Sequence, residues 1–278
     1  QGKQVAVITY TNAACDEIKR RLKFDPTFNV STIHSFAWEL IKNFQQDIKK
    51  YIKNELTQKI IELEEKQAKA KNKQTKTYIE NDQKINESNN KLSRLDEVKT
   101  FTYSPTANKF DSNSLNHAHV IAITAEFLKN PLLQKTLIQR FPILLIDECQ
   151  DTNAKLIDSF FEVQNSHSNK FVLGLFGDVM QRIYLDGKQN LLDVIPESWE
   201  KPVKEWNYRC PKRVVQLINQ IRQDDDCLEQ KTLPDKEDGI VRLFLIDSRQ
   251  QIEKLSLESS IAEKMFELTG DNLWQKLG

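Results

Sequence analysis

The sequence has no close cysteine pair, no long apolar run, no excess of either charge and no G-x-x-x-x-G-K-[ST] phosphate loop anywhere in its 278 residues. Its four cysteines, at 15, 149, 210 and 227, show neither CxxC nor metal-ligand spacing. That argues against a structural metal site and fits free thiols in a reducing, cytoplasmic setting. No apolar stretch approaches the roughly 20 residues that span a bilayer, and no secretory signal opens the chain. With 40 basic and 40 acidic residues, no global positive field attracts a polyanion, so any nucleic-acid binding must come from a local groove. There is no initiator Met: Gln1 stands almost directly before a strand-like run, and the chain reads as a fragment. Hydrophobic residues make up 39%, low for a globular chain, so one segment is predicted to be unusually polar.

That segment is marked by another absence. From Gln45 to about Leu95 there is no Gly or Pro and very little aromatic content. Ile48, Ile52, Leu56, Ile60 and Leu63 form one helical stripe; Tyr78, Ile85, Leu92 and Leu95 form a thinner one. Between them "KQAKAKNKQTK" (66–76) is polar and basic. Two antiparallel helices turning near Asn72 to Thr75 are predicted, with a frayed surface excursion as the alternative.

On either side of this arm the pattern alternates. "QVAVITYT" (4–11) reads as a buried strand, followed by a helix over "NAACDEIKRRL" (12–22) with Asn12 as its cap. "NVSTIHSFAWELIKNF" (29–44) repeats strand, turn and helix. Residues 101–114 read as loop, 115–130 and 131–141 as helices, 143–147 and 169–178 as strands, 203–222 as strand, turn and helix, and "GIVRLFLID" (239–247) as a last strand. Strands alternating with helices predict a parallel α/β sheet, in which ligands gather at the carboxyl ends of the strands.

The polar clusters fall at those ends. "ILLIDECQDT" (143–152) drives an apolar strand into Asp147 and Glu148, with Asp151 four positions after Asp147. An Asp there can hold Mg²⁺ and a neighbouring Glu can deprotonate an attacking water; alone, the pair would equally cap the next helix. "FGDVMQRIY" (176–184) adds Gln181, an amide able to bond a phosphate or its attacking water. "NYR" (207–209) adds Arg209, whose guanidinium fork suits phosphate oxygens but serves as often in a salt bridge.

In this order "TYTNAACDEIKRRL", "STIHSFA", "LLIDECQDTN", "GDVMQRIY" and "NYRCPKRVVQLIN" resemble motifs Ia, Ib, II, III and IV of the UvrD/Rep-like superfamily 1 helicases. The resemblance implies a RecA-like parallel β-sheet core flanked by helices, of P-loop NTPase type, with a mainly helical insertion. Residues 1–44 and 111–200 would form the 1A core, 45–110 the 1B-like insertion and 201–278 the start of domain 2A. It implies ATP and Mg²⁺ as cofactors: Asp147 as metal ligand, Glu148 as catalytic base, and Gln181 and Arg209 as γ-phosphate contacts. Gln150 would couple hydrolysis to the DNA side. Tyr10, Thr32, His34 and Tyr184 match the family's DNA-facing positions, the aromatics as stacking platforms worth about 1–3 kcal/mol per base. Read one at a time, Tyr10 and Tyr184 would pass equally for core residues, and His34 for a turn histidine.

The implied protein is an ATP-dependent helicase or translocase, 3′-to-5′ by analogy, acting on single-stranded and duplex DNA. Alternatives are a helicase subunit of a nuclease-coupled assembly, RecB- or AddA-like or phage-defence, with a nuclease or repair partner, and a non-catalytic module that keeps the helicase shape. Three departures stand out. The phosphate loop is absent and is expected upstream of Gln1, so the chain alone is expected not to turn over ATP. Nothing resembles motifs V and VI. Asp186 occupies a position where the family often has Trp, predicting altered base contacts around Tyr184.

Overall fold

A computed structural model describes residues 2–70, 72–105, 113–184, 187–247, 249 and 253–276. Two compact units divide the chain, Gln1–Pro196 and Glu197–Gly278.

The first unit begins with β1 (Val5–Thr9), α1 (Asn12–Arg21), β2 (Phe28–Thr32) and α2 (Ile33–Ile41). The insertion α3 (Gln45–Ala68) and α4 (Lys76–Arg94) follows, then the two-residue strands β3 (Thr102–Tyr103) and β4 (Ser114–Leu115). The core resumes with α5 (His117–Phe127), α6 (Pro131–Arg140), β5 (Ile143–Ile146), α7 (Ala154–Ser166), β6 (Val172–Leu175) and the short α8 (Leu191–Val194). The four long strands make one parallel sheet in the order β2-β1-β5-β6, with Ile8 opposite Ile146 and Ile146 opposite Leu175. The central strands β1 and β5 are apolar almost throughout, as a helix-flanked parallel sheet requires; Ala6, Ile8, Leu144 and Ile146 are buried to within 1%, while the alternate Val5, Val7, Ile143 and Leu145 are half-buried. Phe36 of α2 and Phe141 after α6 pack ring to ring at 5.4 Å beneath the sheet.

Two expectations change in this unit. The cap of α1 is Thr11, whose hydroxyl accepts the Ala14 N–H at 3.1 Å, because Thr11 keeps extended backbone while Asn12 has already entered the helix. The 101–114 stretch contains the short β3–β4 ladder, Thr102 beside Ser114, with 106–112 outside the described residues.

The arm is the expected antiparallel hairpin. Ile60, Leu63 and Ile85 bury a thin seam with Leu92 packed against it. Gln67 Nε2 reaches the Tyr78 carbonyl near the tip, and Lys49 Nζ the Asp96 carbonyl near the base. The Gln45 amide brackets the Phe101 peptide, accepting its N–H at 2.7 Å and donating to its carbonyl at 3.4 Å. Entry and exit of the insertion are thereby pinned together.

In the second unit, β7 (Trp206–Asn207) pairs in parallel with β8 (Lys231–Thr232), and α9 (Lys212–Arg222) and α10 (Lys254–Thr269) are its helices. The strand expected at 239–247 does not form. Its apolar side chains find no sheet among the described residues of this unit: Leu243 and Leu245 are 83% and 87% exposed.

Candidate active site and nucleic-acid interface

The carboxyl edge of the sheet is built by backbone zippering. Asp147 N–H donates to the Ile8 carbonyl at 2.8 Å, Phe176 N–H to Ile146 and Cys149 N–H to Phe176, so β1, β5 and β6 end in register. This register places Thr9, buried at 2% exposure, beside Asp147, and its hydroxyl donates to Oδ2 at 3.2 Å. Glu148 follows in the left-handed region at φ 51°, ψ 44°, a conformation that costs a non-glycine residue about 1–3 kcal/mol and is held by its surroundings. The turn leaves the Glu148 carboxylate exposed at the strand end. Behind it, burial first, and then the charges of Asp147 and Glu148, push the Cys149 thiol up to about 11. Cys149 is therefore a neutral packing group rather than a nucleophile.

Gln150 is the buried hub of this edge, at 1% exposure. Its Nε2 donates to Glu148 Oε2 at 2.7 Å, and its Oε1 accepts the Asp178 N–H at 3.2 Å. One amide thus joins the loop after β5 to the loop after β6. The fit depends on Gly177, where a Cβ would stand 2.2 Å from Gln150 Oε1 and 2.9 Å from Cys149 Sγ. Asp178 opens a 3₁₀ turn, Val179–Gln181, and accepts the Gln181 Nε2 at 3.0 Å, which holds that exposed amide at the edge.

Beside this edge lies a cleft of about 750 Å³, lined by Tyr10, Thr32, His34, Tyr103, His117 and Tyr184 among others. Tyr184 stacks on Tyr10 at 4.7 Å between ring centroids, with 28° between planes. Tyr10 meets His34 edge-on at 6.0 Å, and His34 lies 4.0 Å from His117. Tyr103 closes the row, its hydroxyl 2.7 Å from His117 Nδ1. The first turns of α1, α2, α5 and α7 also reach this cleft, capped by Thr11, Thr32, Asn116 and Asn153. Helix N-termini present unpaired N–H groups and partial positive charge to an anion. Of the described residues lining the cleft, Lys155 is the one lysine or arginine and Asp151 the one carboxylate.

Every site residue expected in the first unit therefore reaches this edge or the cleft. Asp147, Glu148, Gln150 and Gln181 stand on two adjacent strand-end loops, while Tyr10, Thr32, His34 and Tyr184 line the cleft. Arg209 belongs to the second unit, on a turn shaped by Asn207, whose Oδ1 accepts the N–H groups of Arg209 and Cys210 at 3.0 and 2.8 Å. Asp186 lies outside the described residues. Sequence reading missed Thr9, Tyr103, His117 and Gly177. The capping Asn116 before His117 was a usable signal, because a helix that opens at a sheet edge aims its first turn at the ligand.

This fold and edge define a RecA-like α/β core: a parallel sheet with acidic residues at the carboxyl end of a central strand. The chain belongs to the UvrD/REP helicase family, whose N-terminal domain matches residues 1–185. It is 26% identical to Gabija protein GajB of Bacillus cereus strain HuB5-5, over 87% of this chain and 45% of that protein. It is 24% identical to the probable DNA helicase II homolog of Mycoplasma pneumoniae, over 78% of this chain and 35% of that protein. The chain spans less than half the length of either curated relative. Among the described residues no helix is long and apolar enough to cross a membrane.

Proposed function

We propose that this chain is part of an ATP-dependent DNA helicase or translocase that moves 3′ to 5′ on single-stranded DNA, with residues 1–44 and 111–200 as its 1A core, 45–110 as a 1B arm and 201–278 as the start of 2A. The observation that carries this reading is the Gln150 bridge: one buried amide holds the strand-end carboxylate Glu148 and the loop that leads to the stacked Tyr184. Asp147 would hold Mg²⁺. Among the described residues no group of three or more His, Cys, Asp or Glu could form a metal cage, and Mg²⁺ on a nucleotide needs only one or two carboxylates beside the phosphates. Bound there, it supplies neutralisation of phosphate charge. Thr9 fixes one Asp147 oxygen and so orients the other. Glu148, with Oε2 engaged by Gln150, takes the proton of the attacking water. Gln181 orients that water, and Arg209 is assigned a phosphate oxygen on its fork chemistry.

In the cleft, bases stack on Tyr184 and Tyr10 while the capped helix N-termini and His34 receive phosphates. Stacking tolerates any base, as a motor requires. With one lysine among the described lining residues, binding should depend only shallowly on salt, since few counterions are released. Fluorescence anisotropy with labelled oligo-dT tests the assignment. Tyr184→Ala should weaken binding by about 1–3 kcal/mol, whereas neutralising Lys69, Lys71 and Lys73 on the arm should change it little. The opposite pattern would move the nucleic-acid site to the arm.

A further inference from the structure

Three carboxylates stand in "ILLIDECQDT", and the chemistry proposed above uses two. The third, Asp151, is only 8% exposed. A buried carboxylate is costly unless its oxygens are hydrogen-bonded, and one oxygen of Asp151 bonds to a distant loop. Its Oδ1 accepts the N–H of Ile183 at 3.0 Å and of Tyr184 at 3.2 Å, while Oδ2 receives Gln150 Nε2 at 3.5 Å. Among the described residues, the loop is also held where the Tyr184 carbonyl accepts the Gly187 N–H at 3.4 Å and the Tyr184 ring stacks on Tyr10. Residues 182–184 lie in neither helix nor strand, and the Ile183 side chain is 76% exposed, so that side chain adds little packing. Beyond it, Gly187 returns against the segment that carries Asp151: it bridges Asn153, and a Cβ on it would stand 2.2 Å from the Gln150 carbonyl.

We propose that Asp151 is the positioning residue of the DNA-stacking platform: by accepting two consecutive N–H groups it sets the Tyr184 ring on Tyr10, and by sharing Gln150 with Glu148 it ties that stack to the strand-end carboxylates. This rests on the reading of Tyr184 as a base platform. Asp151 acts through the peptide of the residue assigned to the base. An Asn at this position keeps an oxygen able to accept both N–H groups, and an Ala keeps none.

The test is a double-mutant cycle on oligo-dT affinity, with thermal melts as a folding control. Tyr184→Ala should weaken binding by about five- to 150-fold, from a stack of about 1–3 kcal/mol. Asp151→Ala should weaken it by at least about fivefold alone, but by less than about twofold in the Tyr184→Ala background, because contacts acting as one unit are not additive. Asp151→Asn should stay within about twofold of the unaltered chain, since its oxygen still accepts. A general loosening of the fold would instead weaken both backgrounds equally. If Asp151→Ala does not fold, Ile183→Pro decides, removing one donor from an exposed position. Arg182, at φ −64° and ψ 120°, already suits a residue before proline. That variant should also weaken binding only while Tyr184 is present. Additive losses overturn the role of Asp151, as does unchanged affinity in Asp151→Ala or, where Ile183→Pro decides, in that variant. Unchanged affinity in Tyr184→Ala instead overturns the stacking reading, and the Asp151 role with it.

Discussion

Replacing Glu148 with Gln is expected to slow ATP hydrolysis by the full-length protein by about 10²–10⁴-fold, the usual contribution of a positioned general base. Nucleotide affinity should hardly move, because Gln keeps the size of the side chain and an oxygen that can accept from Gln150 Nε2, as Glu148 does at 2.7 Å. Asp147→Asn should have the complementary effect. It removes the charge assigned to the metal, so affinity should fall when Mg²⁺ is present and stay unchanged in EDTA. Single-turnover hydrolysis, with fluorescent-nucleotide titrations in Mg²⁺ and in EDTA, separates the two. If both variants hydrolyse at the unaltered rate, the carboxylates at the end of β5 take no part in hydrolysis and the catalytic edge lies elsewhere.

The second large effect concerns the platform beneath the site. Phe36 is 2% exposed and packs on Phe141 at 5.4 Å, between α2, which brings His34 to the cleft, and the entry to β5, which brings Asp147. Phe36→Ala should cost about 3–5 kcal/mol through lost burial and the cavity left behind. For a unit of this size that lowers the Tm by about 2–4 °C per kcal/mol, so roughly 6–20 °C in all. Ile61→Ala, on a 42% exposed position of the arm, should stay within about 0.5 kcal/mol of the parent. Circular dichroism melts of the two variants check both numbers, and equal shifts would contradict a core centred under the sheet.

Much of this architecture was legible before any coordinates. Parallel strands announce themselves as unbroken apolar runs, and "VAVIT", "ILLI" and "VLGL" became β1, β5 and the edge strand β6. The arm was legible because a stretch without Gly or Pro, with apolar residues at helical spacing, has few other ways to fold. Long-range partnerships were not legible. The Thr9–Asp147 contact joins residues 138 positions apart and follows only from the pairing of β1 with β5. Tyr103 and His117 reach the cleft because Gln45 and Phe101 close the insertion, which no local pattern encodes. The failed strand at 239–247 shows the converse limit: an apolar, β-branched run states a preference, and a strand forms only where another offers its edge. The Thr11 cap is a smaller lesson, since Thr and Asn both cap well and only backbone dihedrals choose between neighbours.

The claim that joins these parts is that hydrolysis and DNA binding communicate through Gln150. The most direct measurement is the steady-state ATPase rate of the full-length protein with and without oligo-dT, for the unaltered chain and for Gln150→Ala. The predicted result is a rate that rises with DNA in the unaltered protein and loses most of that rise in Gln150→Ala, while oligo-dT still binds. A rate indifferent to DNA in the unaltered protein, or full stimulation retained in Gln150→Ala, would contradict it.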